Sequence, residues 1–437
     1  MKQAYALVLL ILLLILIHPA AFSQAGSGQS DTVAASAAPA TTAYTLAPEQ
    51  LRKAKALYYL DGTLEIGGFL YSNAVLLVLL FLGITVRYRS WAEKISRWSF
   101  VQACIVVPLF VLTISLLALP LDVYSHHVSL QYGFSVQGWA SWFADFLKEQ
   151  GVLIVLAVPL LWIMNFLIRK SPRRSWFYCW LGAIPLVFLA TFLFPVVIEP
   201  MFHTFEPLEK NHAALTDAIE GVVQRAGLSI PKDRMYEMKA SDKVTTLNAY
   251  VTGLGASKRV VVWDNTIQKL TTPETLFVFG HEMGHYVLRH IVFGLTMAIL
   301  ALLPSFYLVY RFATWMQARF GQRWELTGLG DWAALPMFFL IFGVLGFVTD
   351  PISNALSRHI EHQADVYGLE VTHGLNPNSQ EAAAHAFQVL GEMSLDYPYP
   401  SKFAVIWFYN HPPIADRVRF AQTYDPWSKG VAPRYVK

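Results

Sequence analysis

The residues with the clearest capacity for chemistry are two histidines and a glutamate in the run His281-Glu282-Met283-Gly284-His285. Residues four apart lie on one face of a helix, so His281 and His285 can present their imidazoles to one metal ion. Glu282 is placed to reach a water molecule held by that ion. Catalytic zinc takes three protein ligands and leaves the fourth position to a water that it acidifies. The run therefore predicts a hydrolytic Zn²⁺ centre with Glu282 as the general base.

The residues before this run predict that it lies inside a helix. Thr272, Pro273 and Glu274 are typical of a helix start: a capping hydroxyl, a proline at the first helical position, and an acid near the positive end of the helix dipole. Apolar residues follow directly, as expected for a helix that packs one face against a core. The context supports the metal interpretation of both histidines.

The third metal ligand must come from elsewhere in the chain. In one zinc peptidase pattern a third histidine follows the first by ten positions, but that position here is Ile291. His290, nine residues after His281, falls on the opposite face of a continuous helix and is predicted to be a surface or interfacial histidine. Glu361 is the best candidate, and Asp365, on the same helical face, can hydrogen-bond a ligating imidazole. The alternatives are His359, His362, Glu370 and His373.

Four segments together resemble the type I CAAX prenyl endopeptidases, which are integral-membrane zinc metalloproteases. They are HEMGH at 281–285, SRHIEHQAD at 357–365, Asn248-Ala249-Tyr250, and His411-Pro412-Pro413 with Arg417. The resemblance runs from about residue 50 to about residue 425, with the segments in the family's order. Many metallopeptidases share HEMGH, whereas SRxxExxAD is far more specific.

The resemblance implies roles for residues outside the first motif. It makes Glu361 the third zinc ligand, with Asp365 behind the ligands, and it makes His411 and Arg417 candidates for stabilising the reacting carbonyl oxygen. The two prolines fix an extended segment that would present His411 before a helix carrying Arg417. The residues alone leave open a helix-start histidine and a surface arginine.

Asn248, Ala249 and Tyr250 lie in a predicted strand at 247–252. Metallopeptidases often hold a substrate as an added strand on a sheet edge, where the main chain supplies the hydrogen bonds. Asn248 could then bond the backbone of the substrate or of the transition state. A structural asparagine near a turn is the alternative, and the resemblance favours the substrate role.

Composition indicates that the chain is a membrane protein. The chain is 55% hydrophobic and 14% charged, and its apolar residues form spans near the length that crosses a bilayer. These spans lie at about 66–86, 99–121, 151–168, 176–198, 291–310 and 332–356. Between them, helical and strand-like patterns at 201–290 predict a small α+β unit. The predicted fold is mainly α: a polytopic membrane helix bundle with a small α+β zinc metallopeptidase domain split by a membrane hairpin.

The predicted organisation has six parts. They are a signal peptide (1–25), a tether and pre-membrane segment (26–65), a membrane domain of four spans (66–200), the first peptidase part with HEMGH (201–290), two further spans (291–356) and the second peptidase part with the third ligand (357–437). The apolar run at 5–17 and the small residues after it favour a signal that is cleaved. An uncleaved first membrane helix is the alternative.

Basic residues predict the orientation in the membrane. They cluster in three short segments between spans: Arg87, Arg89, Lys94 and Arg97, then Arg169, Lys170, Arg173 and Arg174, and then Arg311, Arg319 and Arg323. If these face the cytoplasm, the catalytic domain faces the periplasm of a bacterial inner (plasma) membrane. Eukaryotic members of the resembled family place the site on the cytosolic side, and a cytoplasmic-facing site is the alternative here too.

The predicted function is a membrane-embedded zinc endopeptidase acting on a peptide or protein substrate in contact with membrane lipid. The expected role is quality control of membrane or envelope proteins. The net charge of +3 and the lack of a basic patch argue against nucleic acid as a partner. The alternative is a transporter or scaffold that holds a structural zinc. A transporter would carry buried paired charges inside its spans, and few are present.

Overall fold

The computed structural model describes residues 44–253, 258–376 and 378–436, apart from the side chain of Leu193. The predicted signal peptide and most of the tether lie outside these residues. The helices are α1 (Pro48–Phe81), α2 (Ile84–Ile95), α3 (Ser99–Tyr132), α4 (Trp139–Lys170), α5 (Ser175–Leu193), α6 (Leu208–Arg225), α7 (Asp264–Lys269), α8 (Thr272–Val287), α9 (His290–Phe320), α10 (Leu335–Thr372), α11 (Ser379–Ser394), α12 (Lys402–Phe408) and α13 (Ile414–Thr423). The strands are β1 (Phe205–Pro207), β2 (Met235–Met238), β3 (Ala249–Thr252) and β4 (Arg259–Trp263).

Six helices in the described residues are long and apolar enough to cross a membrane. They cover Pro48–Phe81, Ser99–Tyr132, Trp139–Lys170, Ser175–Phe192, His290–Phe320 and Trp332–Thr372. Each predicted span falls largely on one of them, so the predicted membrane helix bundle is confirmed. The first span ends earlier than predicted, at Phe81, because Gly83 adopts a left-handed conformation (φ 61°) and the chain turns there into α2.

The last membrane helix differs from expectation in a way that matters for the site. The sequence predicted a span at 332–356 and a separate metal helix after it. Instead, α10 is one helix of 38 residues that contains the apolar span, Glu361 and Asp365. At 1.5 Å per residue, Glu361 lies about 39 Å along the helix from Leu335, beyond the roughly 30 Å thickness of a bilayer core. A membrane helix therefore projects its own end into the peptidase domain.

The predicted peptidase domain contains one four-stranded sheet with the order β1-β2-β4-β3. β2 and β4 are parallel, and the outer strands pair antiparallel to them. α6 and α8 cover one face of the sheet, where Ile219 and Val222 of α6 meet Val260 and Val262 of β4 and Met283 of α8. This shared core fixes α8, and with it the HEMGH run, against the sheet. The strand-like patterns at 236–239, 247–252 and 259–263 correspond to β2, β3 and β4; β2 is displaced by one residue and β3 is shorter by two.

Candidate metal centre

α8 carries the two histidines and has a capping box at its start. The Thr271 N–H donates to Glu274 Oε2 at 2.8 Å, so the cap residue is Thr271, one position before the predicted Thr272. Pro273 lies within the first turn, where its missing N–H costs no hydrogen bond. The helix then runs without interruption to Val287, and the four-residue spacing places His281 and His285 on one face.

That face crosses α10 at very short distance. A Cβ atom on Gly284 would lie 3.0 Å from Tyr367 Cβ, and one on Gly368 would lie 2.9 Å from the His281 backbone nitrogen. Neither site has room for a side chain without movement of backbone or packed atoms. Glycines at the crossing therefore allow the two helix backbones to approach closely enough for their side chains to share one metal ion.

Three buried side chains converge at this crossing: His281, His285 and Glu361. The two Nε2 atoms lie 3.1 Å apart. Glu361 places Oε2 3.2 Å from His281 Nε2 and Oε1 3.5 Å from His285 Nε2. The structure thus brings the third predicted ligand, contributed by a different helix, to the first two.

The donor atoms have the spacing of ligands around one small cation. Nitrogen or oxygen ligands at 2.0–2.1 Å from a tetrahedral ion are about 3.3 Å from each other, and the three distances in the cluster bracket this value. Glu361 Oε2 is buried and has no hydrogen-bond partner, which is costly for a carboxylate oxygen unless a cation satisfies it. The residues present therefore fit a metal ion with one carboxylate and two imidazole ligands.

Asp365 and Arg417 form a hydrogen-bonded chain with His281 on the side of its ring that faces away from the cluster. His281 Nδ1 lies 2.8 Å from Asp365 Oδ1, a contact that holds the imidazole with Nε2 directed at the site. Arg417 binds the same carboxylate with two donors, Nε to Oδ2 at 3.0 Å and a terminal nitrogen to Oδ1 at 2.6 Å. Its guanidinium also lies over the Phe387 ring, 4.3 Å from the centroid. The sequence predicted that Arg417 faces the reacting carbonyl oxygen. In the structure two of its donors bind the Asp365 carboxylate.

Glu282 and His411 are the predicted residues with the chemistry to act on a substrate. Glu282 retains some solvent exposure, but burial raises the pKa of its carboxyl to about 7, so it can accept and release a proton near neutral pH. His411 Nε2 lies 3.3 Å from Glu361 Oε2. Burial lowers the pKa of both His411 and His285, the latter to about 3, so the His285 imidazole is neutral at pH 7 and can offer a nitrogen lone pair.

Asn248 lies immediately before β3, which is an edge strand of the sheet. The Trp263 N–H donates to the Asn248 carbonyl at 3.1 Å, so the main chain of Asn248 faces β4. Strand alternation then turns the main-chain groups of Ala249 and Val251 to the other edge. The side chain of Tyr250 is used elsewhere, since its hydroxyl donates to Glu199 at 2.6 Å. The predicted substrate segment thus offers main-chain groups at an edge beside α8.

His290 was predicted to be a surface or interfacial histidine on the opposite helical face; it is interfacial, but it lies on the same side as His285. α8 ends at Val287, and Arg289 adopts a left-handed conformation (φ 59°), so the assumption of a continuous helix fails. His290 begins α9, is 7% exposed, and has Nδ1 3.2 Å from His285 Nδ1. His290 can approach His285 because the helix breaks between these two residues. The signal that was missed is this third histidine, which follows closely after the HEMGH run.

The other candidate ligands have different partners. His359 is exposed and contacts Gln363. His362 packs against the Phe420 ring, His373 stacks on Trp427, and Glu370 accepts the backbone N–H groups of Tyr435 and Val436. None of these four side chains belongs to the cluster that could hold a metal ion.

Known proteins are similar to this chain in sequence and in fold. The model of peptidase family M48 matches residues 209–425, and the model described as CAAX prenyl protease N-terminal, five membrane helices, matches residues 29–204. An uncharacterized metalloprotease of Bacillus subtilis, YhfN, is 36% identical over 349 residues, 79% of each chain. The chain belongs to peptidase family M48.

More distant relatives of this M48 peptidase agree. CAAX prenyl protease 1 of Saccharomyces cerevisiae is 29% identical over 324 residues, 70% of this chain and 68% of that protein. The crystal structure of Ste24p from S. mikatae has the same fold, with a TM-score of 0.73 and 24% identity over 86% of this chain and 89% of that one. Family and fold make the protein a multi-pass, membrane-embedded metalloendopeptidase. The transporter or scaffold alternative is not supported.

Proposed function

We propose that the protein is a zinc endopeptidase in which His281, His285 and Glu361 hold the ion. The observation that carries this proposal is the convergence of three buried donor atoms at the distances of a tetrahedral site. Two imidazoles and one carboxylate are a frequent donor set for catalytic zinc in peptidases. Zinc bound there would acidify a water molecule and polarise the substrate carbonyl.

The protein's own residues then supply proton transfer and orientation. Glu282, with a pKa near neutrality, takes the proton from the attacking water and passes it to the departing amine. His411 points Nε2 into the site. Its Nδ1 lies 2.8 Å from Asn410 Oδ1, which can only accept, so Nε2 carries a proton in the imidazolium form, and in that form His411 is the candidate to stabilise negative charge on the carbonyl oxygen. Arg417 and Asp365 hold His281 in place through the contacts described above.

Asn248, Ala249 and Tyr250 belong to the proposed substrate-binding edge. A substrate in extended conformation would pair with the carbonyl of Ala249 and the main chain of Val251, as an added strand. The Asn248 carboxamide, whose Oδ1 accepts the Ala249 N–H at 2.8 Å, borders that edge and can bond the substrate backbone. Because main-chain pairing reads no particular side chain, this mode of binding suits varied polypeptides.

The metal centre is proposed to face the periplasm. Three contacts join the predicted basic segments at one end of the bundle: Arg89 with Asp331, Arg169 with the Gly330 carbonyl, and Arg323 over the Phe81 ring. α9 starts beside the metal centre at His290 and ends toward this basic region about 46 Å away. The bilayer core is roughly 30 Å thick, so the two ends lie on opposite sides. The positive-inside rule puts the basic end in the cytoplasm.

The substrate class follows from this orientation. Several relatives are named CAAX prenyl proteases, and a prenylated peptide is one candidate substrate. A periplasmic site in a bacterial inner membrane would rarely meet one. Unfolded or membrane-associated polypeptides of the envelope fit better, because an extended chain can form main-chain hydrogen bonds with the outer edge of β3. We therefore propose quality control of membrane or envelope proteins as the role.

The test separates chemistry from metal binding. Glu282→Ala is expected to retain one zinc per chain and to lose activity by about a hundredfold to ten-thousandfold. Glu361→Ala is expected to lose zinc as well. Zinc content and cleavage of an unfolded protein are measured for both, with Glu209→Ala, an exposed position in the first turn of α6, as the control. Normal zinc content and activity in Glu361→Ala would overturn the ligand assignment.

A further inference from the structure

A row of four polar side chains leads away from the metal centre through His285. His285 Nδ1 lies 3.2 Å from His290 Nδ1. His290 Nε2 lies 3.0 Å from Gln363 Oε1. The other atom of that carboxamide, Gln363 Nε2, lies 3.1 Å from His359 Nε2 at the protein surface. Three helices contribute to the row: α8, α9 and α10.

The carboxamide of Gln363 determines which atoms in this row donate hydrogen bonds and which accept them. Its oxygen can only accept, so His290 must donate through Nε2. A neutral imidazole that donates through Nε2 has its lone pair on Nδ1. His290 Nδ1 therefore accepts a hydrogen bond, and the donor that faces it is His285 Nδ1–H. His285 in turn must carry its lone pair on Nε2, the atom that faces His281 and Glu361.

We propose that His290, oriented by Gln363, is a positioning residue that fixes the tautomer and ring orientation of His285 for metal binding. The inference rests on the proposed function, since it concerns the same metal. It assigns to His285 a hydrogen-bond acceptor of a different kind from that of His281, which has a carboxylate at Nδ1. Each imidazole ligand is thus held through Nδ1 by a residue of another helix, α9 for His285 and α10 for His281.

The break between α8 and α9 is what makes the arrangement possible. His290 would point away from His285 in an uninterrupted helix. The left-handed conformation of Arg289 lets the chain turn, and α9 starts with His290 facing back to α8. A residue other than glycine is strained in this conformation. The turn allows His290 to contact His285 and Gln363, and these contacts offset the strain at Arg289.

The experiment compares substitutions that keep or remove the acceptor. In His290→Asn the carboxamide oxygen occupies nearly the position of Nδ1, whereas His290→Leu has no polar atom. Gln363→Glu still accepts from His290, whereas Gln363→Leu does not. The dissociation constant for Zn²⁺ is measured by competition with a chelator, and the melting temperature of each metal-free protein is recorded. His373→Asn, which changes a histidine that stacks on Trp427 outside the row, is the control.

Loss of a hydrogen-bond partner behind a metal ligand typically weakens metal binding by 10–100-fold. His290→Leu and Gln363→Leu are expected to show this loss, and His290→Asn, Gln363→Glu and the control are expected to stay within a few-fold of wild type. Equal affinities for the Asn and Leu variants at position 290 would overturn the inference, as would unchanged affinity in Gln363→Leu. A wild-type protein that binds no zinc would instead refute the proposed function.

Discussion

At the scale of single residues, the metal centre is close to electrically balanced only with its ion. When Glu282 is ionised, as it must be to act as a base, Glu282, Glu361 and Asp365 contribute three negative charges, and Arg417 contributes one positive charge. A divalent cation supplies the other two. Since an unpaired buried charge is very costly, the ion and the guanidinium are both needed to keep three carboxylates in so small a volume. This explains why Arg417 faces Asp365 with two donors.

This balance predicts the effect of removing Arg417. Arg417→Gln leaves the Asp365 carboxylate buried without its cation, and breaking such a pair costs about 3–5 kcal/mol of stability. We expect a lower melting temperature and weaker metal binding. Arg419→Gln, which removes an exposed arginine from the same helix, is the control. Unchanged metal affinity with only kcat reduced would instead support the carbonyl-stabilising role predicted from the sequence.

His411 and Asn248 are expected to affect the reaction without affecting the metal. Loss of one donor to the developing oxyanion typically costs on the order of a hundredfold or more in kcat. His411→Ala should show such a loss with normal zinc content, whereas Asn248→Ala should mainly raise KM, because it removes ground-state substrate binding. Steady-state kinetics with zinc content and melting temperature distinguish the two. A normal kcat in His411→Ala would reduce that residue to a structural one.

At the scale of elements, the crossing of α8 and α10 determines whether a site exists. Gly368→Ala would place a methyl group 2.9 Å from the His281 nitrogen, and overpacking of this kind typically costs 1–3 kcal/mol. We expect lower stability and weaker metal binding, because the helices must separate. Gly221→Ala is the matched control, since its Cβ would meet nothing within 4 Å on α6. It should be neutral or slightly stabilising by about 0.4–1 kcal/mol. Equal effects of the two substitutions would contradict this account of the crossing.

The segment that carries His411 is also held by α10. Arg358 donates to the carbonyls of Val405 and Tyr409, at 3.0 and 2.6 Å, around the end of α12. These bonds tie α12 and the residues after it to the helix that carries Glu361. Arg358→Lys cannot reproduce both contacts in the same geometry, so we expect kcat to fall with little change in zinc content. Kinetics and zinc analysis of Arg358→Lys beside Arg419→Lys test this, and equal kcat values would refute it.

The sequence predicted those parts of the site that depend on local spacing. The four-residue interval of the HEMGH run and the SRxxExxAD segment were enough to select His281, His285, Glu361 and Asp365. The pairing of Arg417 with Asp365 joins residues 52 apart, and no local pattern encodes it. His290 was misplaced because a left-handed Arg289 is rare enough to be ignored in a helical projection. The continuity of α10 was missed because the residues become polar at about 357, which suggested the end of a membrane span, although the helix continues through this point.

At the scale of the whole molecule, membrane and peptidase domains share helices. α10 is one continuous helix that contains both a membrane span and Glu361. α9 starts at the metal centre and then crosses the apolar region. The proposed metal ligands thus come from a domain helix and a membrane helix. The metal centre is therefore fixed at one side of the bilayer, and its depth is set by the spans. Substrates in contact with the membrane are the ones that this placement favours.

The orientation can be tested with single cysteines in a Cys104→Ser, Cys179→Ser background. Ser90 in the basic segment, a natural choice from the sequence, is partly buried, so Lys94 is the better position there. Lys210 is an exposed counterpart in the peptidase domain.

In intact cells Lys94→Cys should be protected from a membrane-impermeant thiol reagent and Lys210→Cys should be labelled, because α9 and α10 carry the two regions to opposite sides of a roughly 30 Å core. Both should be labelled after permeabilisation, which controls for accessibility. The reverse pattern would place the metal centre in the cytoplasm. It would then favour cytosolic, lipid-modified substrates over envelope proteins.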